Sequence, residues 1–274
     1  MHDTYDYQLH THTRRCKHAS GDPIDYARVA HAGGCRVLGM SDHCPWPDGR
    51  WDNVRMHIDE FDDYVADVRR ADAAFPDLRV LLSVEVEWVP ELRQWMLDTF
   101  VHQYGCAYLI GAAHYMPLQG DWDTAGRMHD PQRLSAYTDY LIDTIASGVF
   151  AFIAHPDLFA CSYANKAWDA AAQSHAHAVC AAAAAHNVPF ELNGYGLRKK
   201  SIPDEHGKPR SMYPWLPFWE VAAEHGVEVV LNSDAHEPED TLAGYAELEA
   251  MRRSLGLGIA HLPWLESAAG ASEA

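Results

Sequence analysis

Seven short apolar runs, separated by stretches of helical periodicity, recur along the chain and leave it very few folds. The runs are 5–10 ("YDYQLH"), 36–41 ("RVLGMS"), 79–86 ("RVLLSVEV"), 107–113 ("AYLIGAA"), 149–154 ("VFAFIA"), 188–192 ("VPFEL") and 227–232 ("VEVVLN"). Each has the length and the branched or aromatic content of a buried strand. Between them, 24–32, 57–74, 91–103, 131–147, 166–186, 214–225 and 238–254 read as helices, several opening on Pro or Asp and closing at Gly. In "DPIDYARVAHAGG", Pro23 marks the start and Gly33–Gly34 the end. The alanine-rich stretch 170–186 is a helix by propensity. Strands alternating with helices of this length build right-handed βαβ units on a parallel sheet, and seven or eight units close into a barrel. The expectation is one α/β barrel over 1–262, followed by a flexible tail over 263–274 ("PWLESAAGASEA").

A chain of 274 residues with 48% hydrophobic content can bury a full core. No run of about 18 apolar residues occurs, and "MHDTYDY" is too polar and acidic for a signal peptide, so the expected address is the cytoplasm. The six cysteines form no C-x-x-C pair, which argues against a zinc ribbon or a disulfide framework. A formal charge of −18 argues against a nucleic-acid or anionic-membrane surface. An anionic substrate would therefore need local positive charge, and bound metal ions could supply it. That makes the 18 histidines the informative feature of the composition.

Polar groups able to bind metal stand at or just beyond the C-terminal end of every expected strand. The first ends in His10 and His12, with His18 following; the second in Asp42 and His43; the third in Glu85 and Glu87. The fourth ends in His114, the fifth in His155, the sixth in Glu191 and Asn193, the seventh in Asp234 and His236. In a parallel barrel these ends share one face, where active sites assemble. His10 and His12, two residues apart, leave the same side of an extended strand and can grip one ion. Either H-x-H or D-x-H alone would equally be a chance pair in a polar loop; recurrence in all seven units is what argues for a site. Seven imidazoles with at least two carboxylates exceed the needs of one tetrahedral zinc and suggest two or three ions.

Some choices stay open at this level. Glu85 and Glu87 share a face, so spacing does not separate them, and Asp42 reads as a ligand or as the carboxylate that orients His43. Arg198, Lys199 and Lys200 form the one basic cluster near a strand end and read as a solvated loop or as a phosphate contact. Trp46, Tyr115 and Tyr195 follow ligand-bearing segments and could line a pocket or pack in the core. The remaining histidines, His175, His177 and His186 among them, read as structural or surface residues.

The ordered set "HTH" with His18, "SDH", a Glu after the third strand, "AAHY", "AHPD" and "SDAH" resembles the polymerase-and-histidinol-phosphatase (PHP) domain family of metal-dependent phosphoesterases. "ELNGYGLRKK" followed by "YP" is most similar to its histidinol-phosphatase branch. The resemblance implies a distorted, TIM-barrel-like seven-stranded (β/α)7 barrel and a trinuclear centre of zinc, iron or manganese. Carried over by position, it implies His10, His12, His18, His43, Glu85, His114, His155, Asp234 and His236 as ligands and favours Glu85 over Glu87 as the bridge. One ion would lie on His10, His12, Glu85 and Asp234; Glu85 would bridge to a second on His114 and His155; His18, His43 and His236 would hold the third. Arg198 falls in the phosphate-binding region, beside Lys199, Tyr195 and Tyr115, and Asp234 and His236 are candidates for proton delivery.

The implied reaction is hydrolysis of L-histidinol phosphate in histidine biosynthesis, by attack of water without a covalent enzyme intermediate. No G-x-S-x-G nucleophile motif contradicts that. Gly194 and Tyr195 depart from the branch, which usually has small hydroxyl residues there, and "SIPDEHGKPRSM" enlarges the next loop. Another small phosphate ester or a nucleotide is the alternative substrate. A metal-dependent amidohydrolase shares the H-x-H opening, but no expected strand contains the lysine its bridging carbamate requires. A non-catalytic metal-binding domain is countered by the complete ligand set.

Overall fold

In the computed structural model, which describes residues 6–164 and 166–265, seven parallel strands pair in chain order, β1-β2-β3-β4-β5-β6-β7. They are β1 (Tyr7–Gln8), β2 (Val37–Met40), β3 (Arg79–Glu87), β4 (Tyr108–Ala112), β5 (Phe152–Ile153), β6 (Phe190–Asn193) and β7 (Val229–Asn232). Each lies inside or within a residue of an expected run. The sheet nearly closes into a barrel: between β7 and the end of β1 a single parallel bridge forms, Thr11 to Ala235, in which the His12 N–H donates to the Ala235 carbonyl at 2.9 Å. Side-chain amides replace the rest of that ladder. Leu9 N–H donates to Asn232 Oδ1 at 2.9 Å and Ser233 N–H to Gln8 Oε1 at 2.7 Å, so buried backbone donors at the seam are paired without a longer strand.

The crossover helices are α1 (Pro23–Ala32), α2 (Phe61–Ala74), α3 (Arg93–Met96, widening into π-type turns over Leu97–Gln103), α4 (Pro131–Ala146), α5 (Ala170–His186), α6 (Leu216–Glu224) and α7 (Tyr245–Leu255). Their boundaries follow from capping chemistry. Asp22 and Asp25 form a capping box around Pro23, Asp130 caps α4 ahead of Pro131, and Asp169 accepts from Ala171 and Ala172 at the start of α5.

The core has two parts. A larger cluster fills the space between sheet and helices, with Trp46, Phe61, Phe100, Phe159 and Trp219 among its buried side chains. A smaller one fills the barrel interior below the strand ends: Leu9, Val37, Leu81, Tyr108, Ile110, Phe152 and Val230. Tyr108 crosses that interior to donate to the Leu9 carbonyl at 2.6 Å. Its hydroxyl would lie 1.7 Å from a Cβ on residue 39, so only glycine fits in the middle of β2. The chain after α7 returns beneath the barrel: Ile259 bridges Val229, Leu262 joins the interior cluster, and Trp264 stacks on Tyr108 at 4.6 Å. Of the tail expected from 263, Trp264 and Leu265 are therefore packed apolar residues rather than frayed ones; 266–274 lies outside the described residues, as does His2.

Two elements have no counterpart in the periodicity. A hairpin (Tyr115–Leu118 with Asp121–Thr124) follows β4, and a smaller one (Ile202–Pro203 with Pro209–Arg210) forms within the enlarged loop after β6. No described helix is long and apolar enough to cross a membrane.

Candidate metal centre

All the strand-end residues converge on the barrel mouth, and Glu85 occupies its centre. One oxygen, Oε1, faces His155 Nε2 at 3.1 Å and His114 Nε2 at 3.6 Å. The other, Oε2, faces His43 Nδ1 at 2.9 Å, His10 Nε2 at 3.5 Å and His12 Nε2 at 3.6 Å. Asp234 Oδ1 adds contacts to His12 Nε2 at 3.0 Å and His10 Nε2 at 3.7 Å. His236 stacks on His12 at 4.2 Å, and His18 lies over His236 at 5.1 Å and His43 at 5.2 Å on the exposed rim. All nine expected ligands are thus brought together. Ligand atoms of His10, His12 and Asp234, of His12, His43 and His236, and of His43, Glu85 and His114 each lie close enough to share an ion.

The partners behind these groups set which nitrogen is free. His10 Nδ1 contacts Glu191 Oε1 at 2.7 Å, and Glu191 is itself held by Asn232 Nδ2, Asn193 Nδ2 and the His155 N–H. Asp42 accepts from the Thr13 and His43 backbone and lies 3.4 Å from His12 Nδ1. That makes Asp42 and Glu191 orienting carboxylates of the kind that fix an imidazole for metal binding. His18 Nδ1 faces the Cys16 carbonyl at 2.7 Å and His236 Nδ1 the Asp234 carbonyl at 3.2 Å. A carbonyl only accepts, so the proton sits on Nδ1 and leaves each Nε2 lone pair open. Glu87 does not enter the centre: its Oε1 accepts from Arg55 Nη2 at 2.7 Å and His114 Nδ1 at 2.9 Å. The geometry separates the two glutamates where spacing did not.

His155 (φ +28°) and Asp234 (φ +50°) adopt left-handed backbone, which costs about 1–3 kcal/mol each and persists when surroundings enforce it. At His155 the enforcing contact is its N–H on Glu191 Oε2 at 3.1 Å. At Asp234 it is Arg198, whose Nη2 donates to the Ser233 and Asp234 carbonyls at 2.9 and 3.2 Å while Nε donates to Asp240 at 2.9 Å. The Arg198 Nε and Nη2 are thus taken by the turn after β7, while Nη1 is buried without a hydrogen-bond partner, and the side chain does not itself line the cleft.

Charge is distributed unevenly through the cluster. Burial opposes protonation of His10, yet Glu191, Asp234 and Glu85 hold its pKa well above the imidazole norm. Burial likewise opposes protonation of His12, but Asp234 and Asp42 raise it to about 9. His43 and His236 are pushed well below it, first by burial and then by the charge on His12. Burial would raise the Glu85 carboxyl, but His114, His10 and His43 hold it well below the usual range. The cluster is thus ionised carboxylates among imidazoles that cannot all be protonated, a set suited to cations.

A cleft of about 280 Å³ opens over this centre. Beyond the ligands it is lined by Val54, Arg55, Tyr115, Thr124, Leu158, Tyr195, Lys199 and Tyr213. Tyr195, Tyr115 and Lys199 therefore sit where a substrate would; Tyr195 stacks on His236 at 4.2 Å and the Lys199 ammonium lies over its ring. Trp46 is fully buried in the core instead, and Lys200 is exposed outside the cleft. His175 is also buried, not a surface residue, at 3% exposure. Arg55 carries no motif in the sequence and was not anticipated, although it is the buried cation of the cleft wall.

The PHP domain family model matches residues 8–194, from β1 through β6; Asp234 and His236 lie beyond it. A Deinococcus radiodurans protein named "Probable histidinol-phosphatase" is 28% identical over 256 residues, covering 90% of this chain and 92% of that protein. A Listeria monocytogenes structure named "putative histidinol phosphatase hisK" superposes with a TM-score of 0.68 at 17% identity, over 88% of this chain and 99% of its own. A Lactococcus lactis histidinol phosphate phosphatase, solved with zinc, L-histidinol and phosphate, superposes with a TM-score of 0.69 at 12% identity, over 95% and 97%.

Proposed function

The chain belongs to the PHP domain family, and from that premise we propose that it is a metal-dependent phosphatase hydrolysing L-histidinol phosphate to L-histidinol and phosphate. The observation that carries the metal-dependent part is the two-sided environment of the Glu85 carboxylate. The donor set fits cations on a second ground: His43 Nδ1, Glu85 Oε2, His155 Nδ1 and Asp234 Oδ1 are buried without a well-aligned hydrogen-bond partner. Leaving so many polar atoms unpaired in one place is costly unless something positive binds among them.

His10, His12, Glu85 and Asp234 would hold one ion, Glu85 with His114 and His155 a second, and His18, His43 and His236 a third, the metals being zinc, iron or manganese. When bound, such ions neutralise phosphate oxygens and make water nucleophilic at neutral pH. Glu191 and Asp42 keep His10 and His12 in register. Arg198 holds the Asp234 backbone in its left-handed turn. Lys199 brings a further positive charge to the phosphate from the rim, and Tyr195 and Tyr115 form faces against which a ring of the leaving group packs. Asp234, an ionised carboxylate, and His236, whose one proton faces the Asp234 carbonyl, would act as ligands and have no proton to hand to the departing alkoxide.

A second reading has its own support: outside the ligand cluster the described cleft lining includes Lys199 and Arg55, the latter paired with Glu87 behind the wall, and no carboxylate among the described residues. An ester whose leaving group bears a further anionic group would be favoured there over one bearing an ammonium. The deciding experiment is phosphate release from L-histidinol phosphate beside nucleotides and sugar phosphates, with metal content measured on the same sample. Preference for histidinol phosphate with two to three ions per chain supports the proposal. A loaded protein that prefers an anionic ester sinks the substrate and leaves the hydrolase, while a metal-free active protein sinks the metal centre.

A further inference from the structure

Several imidazoles of the centre are oriented by a carboxylate or a carbonyl, and the supports differ in kind. Glu191, behind His10, is fixed by two asparagine amides and a backbone N–H. Glu87, behind His114, has one anchor. Its Oε1 accepts from both Arg55 Nη2 at 2.7 Å and His114 Nδ1 at 2.9 Å, while its Oε2 is buried without a partner. Arg55 is 1% exposed and Glu87 0%, so the pair is shielded from bulk solvent. Among the described residues, the one other hydrogen-bond contact of the Arg55 guanidinium is the Cys44 sulfur at 3.9 Å, and its Nε has no hydrogen-bond partner.

Arg55 also touches the outer wall. Trp51 and Tyr115 stack at 4.3 Å and 10°, closing that side of the cleft, and the guanidinium carbon lies 5.1 Å from the Trp51 ring and 6.0 Å from the Tyr115 ring. One side chain thus joins the loop after β2, the end of β3 and the hairpin after β4.

We propose that Arg55 is the positioning residue for His114: it fixes Glu87, Glu87 fixes the imidazole, and without it the ion on His114 and His155 is the first to leave. This rests on the reading that the cluster holds metal. An orienting carboxylate behind a ligand imidazole governs metal affinity strongly, and a carboxylate with a single anchor passes that control to the anchor.

The test is metal content, and the rate of metal loss to a chelator, for wild type, Arg55→Met, Arg55→Lys and the pair Arg55→Met with Glu87→Gln. Arg55→Met should carry about one ion fewer per chain and lose kcat roughly 10–100-fold with little change in KM. Arg55→Lys should restore most of both, because the contact to Glu87 is a single N–H···O bond that an ammonium can remake. The paired variant removes both buried charges together, so it folds even where a lone Arg55→Met would not. It should still be short of an ion.

A paired variant with a full ion complement and wild-type kcat overturns the inference, as does metal loss in Arg55→Met that Arg55→Lys fails to relieve. A wild-type protein that binds no metal overturns the metal reading and this inference together. A loaded wild type beside an equally loaded Arg55→Met overturns this inference alone.

Discussion

Glu85 shows what a single carboxylate does when five imidazoles approach it from two sides: each oxygen serves a different group, and neither can be replaced by a neutral amide without leaving nitrogen lone pairs facing one another. His10 and Asp234 sit at the same junction, 3.7 Å apart. His10→Ala or Asp234→Ala should therefore bring turnover below detection and lower metal content, whereas His177→Ala should leave both within twofold, because His177 only meets His225 on the outer surface at 3.0 Å. Steady-state assays with metal analysis check both halves. Glu191→Gln should cost about 10–100-fold in activity or metal affinity, since a neutral amide orients His10 but does not raise its basicity. Much of this was legible in the sequence, because strand ends in a parallel barrel must converge. What was not legible has a physical reason at each residue. Glu85 and Glu87 share strand parity, so only the path of β3 separates them. Arg198 was read from its charge and from the family resemblance, neither of which reveals that the left-handed turn at Asp234 holds its Nη2. Arg55 stands in a loop whose role comes wholly from tertiary placement.

At the level of elements, strands and helices were readable wherever an apolar period or a cap existed, and unreadable where pairing depends on turn geometry. The hairpin after β4 turns at Gln119–Gly120, both at positive φ, in a polar stretch with no alternation to announce it. Helix α5 illustrates the converse: its boundaries follow from Asp169 and Asn187, but its alanine-rich composition hides which face is buried. His175 lies on that face, against Phe159 at 4.5 Å, with Nδ1 on Thr138 Oγ1 at 2.7 Å. The Thr138 hydroxyl already donates to the Leu134 carbonyl, so it accepts from Nδ1–H, and the buried Nε2 faces no acceptor that would favour a second proton. Burial lowers the His175 pKa to about 3. Above pH 6.5 the folded and unfolded forms are both neutral and the group is silent. As pH falls from 6.5 toward 3, the unfolded chain takes up a proton that the folded one refuses, and stability declines by about 3 kcal/mol by pH 4. Urea unfolding at a series of pH values should show His175→Leu losing stability less steeply than wild type across that window. An unchanged difference from pH 7 to pH 4 would mean that the imidazole is already reached by water.

The whole molecule separates its two tasks along the barrel axis. Below lies an apolar interior closed by the chain after α7; above lies a mouth crowded with ionised carboxylates and imidazoles. Stability should separate in the same way. Ions that bind only the folded form stabilise it by mass action, about 4 kcal/mol at a thousandfold excess over Kd, which for a chain of this size raises Tm by on the order of 10 °C. Chelation should therefore lower Tm by about that much while far-ultraviolet circular dichroism at 25 °C stays unchanged, because the interior cluster and the helix–sheet core do not depend on the mouth. Leu262→Ala, which opens a cavity at the base, should cost about 2–5 kcal/mol in loaded and chelated protein alike. His10→Ala should instead abolish most of the difference between the two states. If Leu262→Ala also narrows that difference, the base and the mouth are coupled through the seven strands, and the metal centre owes its geometry to the closure beneath it as well as to the carboxylates around it.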